Sequence, residues 1–145
     1  MACVTPVWID NPKRIVPGQP GHLPVPCGRC LECLRRRTNQ WVFRLLKEAD
    51  VSASSHFVTL TYNTDNVPIS DNGFMNLRKR DFQLFMKRLR KLHPKDVKIR
   101  YYAVGEYGDV SFRPHYHAIM FNVNPDLIVD AWNLGGIDVG TVTGK

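Results

Sequence analysis

No apolar run in this 145-residue chain approaches the length of a membrane-crossing helix. Its opening residues, Met1-Ala2-Cys3-Val4-Thr5-Pro6, lack a basic segment followed by an apolar stretch. A secretory signal is therefore not expected, and the protein is expected to work inside a cell with reduced thiols and no membrane partner. Cysteine is scarce, with four in the chain, and neither internal repeats nor low-complexity tracts occur. Acidic residues are the minority charge, 13 Asp and Glu against 20 Lys and Arg, for a net charge of +7. That balance favours a polyanionic partner over an acidic or membrane-inserted role.

The positive charge is concentrated. Between Arg78 and Arg100 there are ten Lys/Arg against Asp81 and Asp96, a balance of +8, and the rest of the chain sums to −1. Within that segment an apolar stripe (Phe82, Phe85, Met86, Leu89, Leu92) recurs at helical spacing, which predicts a helix over 79–92 that stops before Pro94. Lys87, Arg88, Arg90 and Lys91 fall outside the stripe, as a nucleic-acid surface or as a solvated face. An earlier helix is expected over 30–50, with Leu31, Leu34, Trp41, Val42, Leu45, Leu46 and Ala49 as its core stripe. Arg35, Arg36, Arg37 and Arg44 occupy its remaining surface, either solvated or facing phosphates.

All four cysteines lie toward the N-terminus. Cys27, Cys30 and Cys33 form a C-x2-C-x2-C run leading into the first helix, and Cys3 joins them if the Pro/Gly-rich stretch over 1–28 folds back as an extended, irregular arm. Four thiolates satisfy a tetrahedral Zn2+, which would staple an arm that has few apolar residues of its own. An iron–sulfur cluster and plain reduced thiols are the alternatives.

The chemistry centres on Arg113-Pro114-His115-Tyr116-His117-Ala118-Ile119-Met120-Phe121. This short, aromatic-rich segment opening on proline predicts a strand. Alternate strand residues share a face, so His115 and His117 stand side by side while Tyr116 turns into the packing. A strand is also expected over 97–105, and pairing the two as a hairpin brings Glu106 near His115. Two imidazoles and a carboxylate with open positions suit Mn2+ or Mg2+ bound together with a phosphate. A His-x-His pair alone is weak, and two ordinary polar strand residues are the plain alternative. Further strands are expected at 57–62 and 137–142 and a short helix at 126–133. From Phe57 the order is strand, helix, strand, strand, helix, strand, an α+β split β-α-β arrangement of ferredoxin-like (RRM-like) type. The chain then divides into a Cys-rich arm with its helix, 1–50, and a core, 51–145.

Phe57-Val58-Thr59-Leu60-Thr61-Tyr62 resembles the first motif of rolling-circle replication initiators, and Arg113-Pro114-His115-Tyr116-His117 resembles their metal motif. Together with the cysteine run, Arg80–Lys91 and Gly105-Glu106-Tyr107-Gly108, the chain resembles the initiators of gokushovirus-type microviruses, small single-stranded DNA phages. The resemblance implies a HUH endonuclease fold and a nicking enzyme of the phage origin. His115, His117 and Glu106 would hold Mg2+ or Mn2+, Arg113 would add a phosphate contact, and a tyrosine would attack phosphorus and stay bonded to the 5′-phosphate. It further implies single-stranded DNA as partner, possible contact with host replication proteins, and action in the host bacterial cytoplasm. In the family the attacking tyrosine lies on a helix after the last strand, where this sequence ends. Of the five tyrosines Tyr107, expected in a loop beside Glu106, is a weak stand-in. A zinc-stapled single-stranded nucleic-acid-binding module without chemistry is the alternative function, and a transposase relative sharing the metal motif is a further one.

Overall fold

A computed structural model describes residues 3–10 and 21–142. The chain divides into two compact units, 1–47 and 48–145. In the first, β1 (Val7–Asp10) and β2 (His22–Val25) pair antiparallel and lead into α1 (Leu31–Val51), a helix that runs on into the second unit. The stretch expected to be irregular thus contains a two-stranded ribbon, because Val7-Trp8-Ile9 and His22-Leu23 are β-compatible on either side of the Pro/Gly-rich segment. The part of the expected arm at 11–20 lies outside the described residues.

The second unit holds β3 (Ser55–Thr61), α2 (Lys79–Leu92), β4 (Arg100–Tyr107), β5 (Pro114–Phe121), α3 (Pro125–Ala131) and β6 (Ile137–Thr141). The four strands form one antiparallel sheet in the order β4-β5-β3-β6, so this is an α+β fold. Strand period decides which residues go inward. Val58 and Leu60 of β3 and Tyr116, Ala118 and Met120 of β5 are buried together with Phe82, Phe85, Met86 and Leu89 of α2 and Ile128 and Ala131 of α3. Both helices therefore cover one face, and the odd-numbered residues of β3 and β5 are left on the other. Among the described residues no helix is long and apolar enough to cross a membrane.

Polar contacts fix the ends of these elements. Arg78 donates to both carboxylate oxygens of Asp81, which is buried in the first turn of α2. Tyr62 donates its hydroxyl to Asp81 at 2.9 Å and Tyr116 donates to the Arg78 carbonyl at 2.9 Å, so the helix start is bonded to the sheet. Arg88 donates to the Ala131 carbonyl at 2.7 Å and joins α2 to α3. Asn124 caps α3 by accepting from the Asp126 amide, with Pro125 at the first helical position. Gly135 passes against the end of β3: a Cβ there would lie 2.1 Å from the Thr61 carbonyl oxygen and 2.5 Å from the Asn63 nitrogen.

Several expectations are corrected. The strand expected over 57–62 spans 55–61, and that expected over 97–105 begins at Arg100 and reaches Tyr107. The Pro94 turn, closed by the Val97 amide on the Pro94 carbonyl, holds 97–99 off the sheet, and β4 starts only where Phe121 is available to pair. Tyr107 is consequently a strand residue, not a loop residue. The short helix spans 125–131, since Trp132 already turns extended. Leu92 is 45% exposed, because buried His93 takes the next inward position just past the helix. The α1 stripe is exposed at Leu31, Leu34, Trp41, Val42 and Leu46, and Cys33 is the buried residue of that helix. Helical periodicity reports that a face is fit for burial, and here no layer covers it.

The Gly135 contact is testable. Gly135→Ala is expected to lower the urea-unfolding free energy by about 2 kcal/mol or more, because the clash is with backbone that cannot rotate away. Gly140→Ala, where nothing lies within 4 Å of the added Cβ, should stay within about 0.5 kcal/mol of the parent.

Candidate metal centre

The open face of the sheet carries the chemistry-bearing residues in register. Thr61, His115 and Glu106 form one row across β3, β5 and β4, and Thr59, His117 and Val104 form the next. Glu106 therefore sits directly opposite His115. Its Oε2 lies 3.4 Å from His117 Nε2 and 3.8 Å from His115 Nε2. These separations exceed ordinary hydrogen bonds. They match donor atoms arranged around one ion, which at bond lengths near 2.1 Å stand about 3.0–3.5 Å apart. One donor atom from each of the three residues lies within 4.8 Å of the others.

The remaining ring nitrogens are already engaged. His115 Nδ1 lies 3.1 Å from the Arg113 carbonyl, which can only accept, so that nitrogen carries the proton and Nε2 keeps its lone pair. His117 Nδ1 lies 3.0 Å from Thr59 Oγ1. The Phe57 ring stacks on His117 with centroids 5.4 Å apart. Both imidazoles are thus aimed by second partners, as in metal-binding histidines generally. The imidazoles are half-buried and Glu106 is exposed, which leaves one side open. The donor set fits a divalent cation that keeps positions for other oxygen ligands. Thr59 and Phe57 were not anticipated as parts of this site; the available signal was their parity with the histidines once β3 and β5 are paired.

The expected DNA contacts are distributed differently. Lys87, Arg90 and Lys91 are exposed, but they belong to α2, which packs on the sheet face opposite the triad. Arg88 is not a free surface cation, because its Nε is bonded to the Ala131 carbonyl. Arg113 donates from Nε and Nη2 to the Tyr62 carbonyl at 3.0 and 2.9 Å, so it clamps β5 to the end of β3. Arg35 and Arg36 lie exposed on α1 in the other unit.

A second cluster lies in the N-terminal unit. The Sγ atoms of Cys3, Cys27, Cys30 and Cys33 all lie within 4.8 Å of one another. The Thr5 hydroxyl and the amides of Cys30 and Arg29 donate to Cys27 and hold its pKa down at about 5. Hydrogen bonds from the Cys33 and Val4 backbones lower Cys30 as well. At Cys33 a Gly28 backbone bond acts downward, but burial and the neighbouring thiols outweigh it and push the group up to about 12.

A family model for replication-associated proteins of the ORF2 type matches residues 55–144, the segment that contains the triad. The chain belongs to this family. It is 30% identical over 142 residues to the replication-associated protein VP4 of Bdellovibrio phage phiMH2K, covering 81% of this chain and 44% of that protein. It is 33% identical over 104 residues to the replication-associated protein ORF4 of Chlamydia phage 1, covering 70% and 25% of the two. It is also 33% identical over 105 residues to the replication-associated protein ORF2 of Spiroplasma virus 4, covering 70% and 33%. These matches support the microvirus-type replication initiator that the sequence resembles. The chain spans less than half the length of these relatives. No solved structure matches it significantly.

None of the tyrosines in this replication-associated chain presents a free hydroxyl to the triad. Tyr62 and Tyr116 point into the helix-covered core, where burial and their hydrogen-bonded neighbours raise their pKa values. The Tyr107 hydroxyl accepts from the Leu77 amide and donates to Asn76, which removes it as a stand-in nucleophile. Tyr101 packs on Phe82 and under Arg90, on the helix side. Tyr102 shares the triad's face, but four residues of strand, about 13 Å, separate it from Glu106.

The buried tyrosines predict an alkaline limit. Their folded-state pKa values lie above the ordinary 10.0, so the unfolded chain loses these protons first, and stability present below that value drains as pH rises through it. The urea midpoint should fall between about pH 9 and about pH 11, and Tyr62→Phe should show the shallower fall.

Proposed function

We propose that this chain carries the metal and DNA site of a rolling-circle replication initiator: a HUH-type, metal-dependent endonuclease that nicks single-stranded DNA at a phage origin. The observation that carries this reading is the convergence of Glu106 Oε2 with the Nε2 atoms of His115 and His117 at the spacing of one ion's ligands. Membership in a family of replication-associated proteins supports it. The strand order β4-β5-β3-β6, with α2 and α3 on one face, supports a ferredoxin-like assignment and a HUH arrangement of the triad on the open face.

When bound, Mg2+ or Mn2+ would polarise the scissile phosphate and offset the charge that builds up on it. His115 and His117 would hold it through Nε2, and Glu106 would supply an oxygen and one compensating negative charge. The Arg113 carbonyl orients one imidazole and the Thr59 hydroxyl the other. Phe57, 42% exposed beside His117, offers an apolar ring on which a base can rest. No nucleophile is assigned among the described residues, and covalent attack is left to a tyrosine outside them. The partner is single-stranded phage DNA, with contact to host replication proteins, and the place of action is the host bacterial cytoplasm. A binding module without chemistry is the second reading, favoured by the lack of a tyrosyl hydroxyl at the triad among the described residues.

Calorimetric titration with Mn2+ should show one site at the triad, weakened at least about tenfold by His115→Ala with His117→Ala. Thr59→Val should weaken it by about tenfold while leaving Phe57 stacking intact, and Thr59→Ser should restore it. For the reaction, circular single-stranded DNA is incubated with Mn2+ and the chain extended by the downstream segment of the phage phiMH2K relative. A nick with a covalent protein–DNA adduct is expected, lost in the double histidine variant. Nicking that survives that variant would overturn the endonuclease reading, and binding without any nick would favour the second one.

A further inference from the structure

The formal charge is unequally divided between the two units. Residues 1–47 hold eight Lys/Arg against two Asp/Glu, a balance of +6, whereas 48–145 hold twelve against eleven, a balance of +1. The basic run 78–100 is thus offset by acidic residues of its own unit, and the N-terminal unit carries most of the net field.

That unit also contains the four thiols. Cys3 Sγ lies 3.8 Å from Cys30 Sγ, and Cys27 Sγ lies 4.0 Å from Cys33 Sγ. A tetrahedron of sulfurs around one ion at about 2.3 Å has edges of about 3.8 Å. The cage is too small for a multi-iron cluster, whose ligand sulfurs stand around the whole cluster. The amides of Arg29 and Cys30 donate to Cys27 Sγ at 3.4 and 3.3 Å, and the Cys27 amide donates to Cys3 Sγ at 3.3 Å. Such bonds orient sulfur ligands and disperse their charge. Gly28 takes φ +73° between the first two cysteines of the run, a tight turn that suits glycine. Cys30 immediately precedes α1 and Cys33 is in its first turn, so an ion here fixes the direction in which that helix leaves.

One face of α1 is polar and basic. Arg35, Arg36, Asn39, Gln40, Phe43 and Arg44 border a single open groove along it, and Phe43 is 63% exposed. Guanidinium groups interleaved with an exposed aromatic ring match the chemistry that holds a flexible single strand: cations for phosphates and a flat apolar face for a base. A rigid duplex has its bases already stacked and would leave Phe43 unused.

We propose that the N-terminal unit is a zinc-held docking module: one Zn2+ on Cys3, Cys27, Cys30 and Cys33 fixes the start of α1, and the Arg35–Arg36–Phe43–Arg44 face binds single-stranded DNA. This rests on the reading of the protein as one that acts on single-stranded DNA, and it adds a binding surface whose residues are separate from the triad. The metal is counted by elemental analysis on the full chain carrying His115→Ala and His117→Ala, so that the triad contributes none. One zinc per chain is expected, lost in Cys27→Ser with Cys30→Ser; iron in its place, or no metal, overturns the zinc assignment. Binding is read by fluorescence anisotropy on a labelled oligothymidine without added divalent ions. Arg35→Glu, Arg36→Glu and Phe43→Ala, combined in the full chain, replace exposed side chains. They should weaken binding at least about tenfold and flatten its salt dependence. Mn2+ affinity at the triad should be unchanged. Oligothymidine affinity within about twofold of the parent overturns the docking surface. Loss of nicking in the histidine variants is a separate readout, so failure of one reading does not disguise failure of the other.

Discussion

The register of β5 is the constraint on which the rest of this structure depends. The strand serves two faces at once: Tyr116, Ala118 and Met120 enter the core, and His115 and His117 emerge from the sheet between them. A slip by one residue would bury the imidazoles and expose the core, because strand period is two. Fold stability and site geometry are therefore enforced by the same pairing. Thr61↔His115↔Glu106 and Thr59↔His117↔Val104 are rows of one antiparallel ladder, so whatever fixes the ladder also fixes the triad.

Several contacts hold that ladder in register. Arg113, just before β5, clamps the Tyr62 carbonyl just beyond β3, while its own carbonyl accepts from His115. The hydroxyls of Tyr62 and Tyr116 approach to 3.3 Å on the buried side and are bonded onward to Asp81 and the Arg78 carbonyl. Trp132 donates to the Thr61 carbonyl at 3.0 Å, and Gly135 passes so close to that same carbonyl that only a residue without a side chain fits. Buried polar groups of this kind are costly unless bonded, and a register slip would leave several of them unpaired at once.

Much of this could be read from residue order. The parity of His115 and His117 follows from a strand alone, and the placement of Glu106 beside His115 needed only that two consecutive strands form a hairpin. The helix over 79–92 was legible because its apolar stripe is strong and Pro94 follows it. Other features depend on partners that no local pattern names. Arg88 and Arg113 look like surface cations in sequence, yet each is bound to a carbonyl dozens of positions away, at Ala131 and Tyr62. The stripe of α1 has the spacing of a buried face, but spacing records suitability for burial and not the presence of a cover. The ribbon β1–β2 escaped notice because glycine and proline dominate the stretch between two four-residue strands.

The layering also separates tasks that the sequence charge map had merged. With α2 on the back of the sheet, its lysines and arginines cannot reach a phosphate held at the triad on the front. The triad's own surroundings are sparing in cations: Arg113 is committed to the Tyr62 carbonyl, and Glu106 adds a negative charge beside the imidazoles. A divalent ion is the charge that such a face lacks, and it would supply the attraction for phosphate where the reaction is proposed to occur. Long-range attraction of a polyanion can then be carried by residues elsewhere, because screened fields act over about 8–10 Å while ligand geometry acts over bond lengths. The basic character of the chain and the chemistry of its triad are therefore separate properties, and the substrate strand must satisfy both.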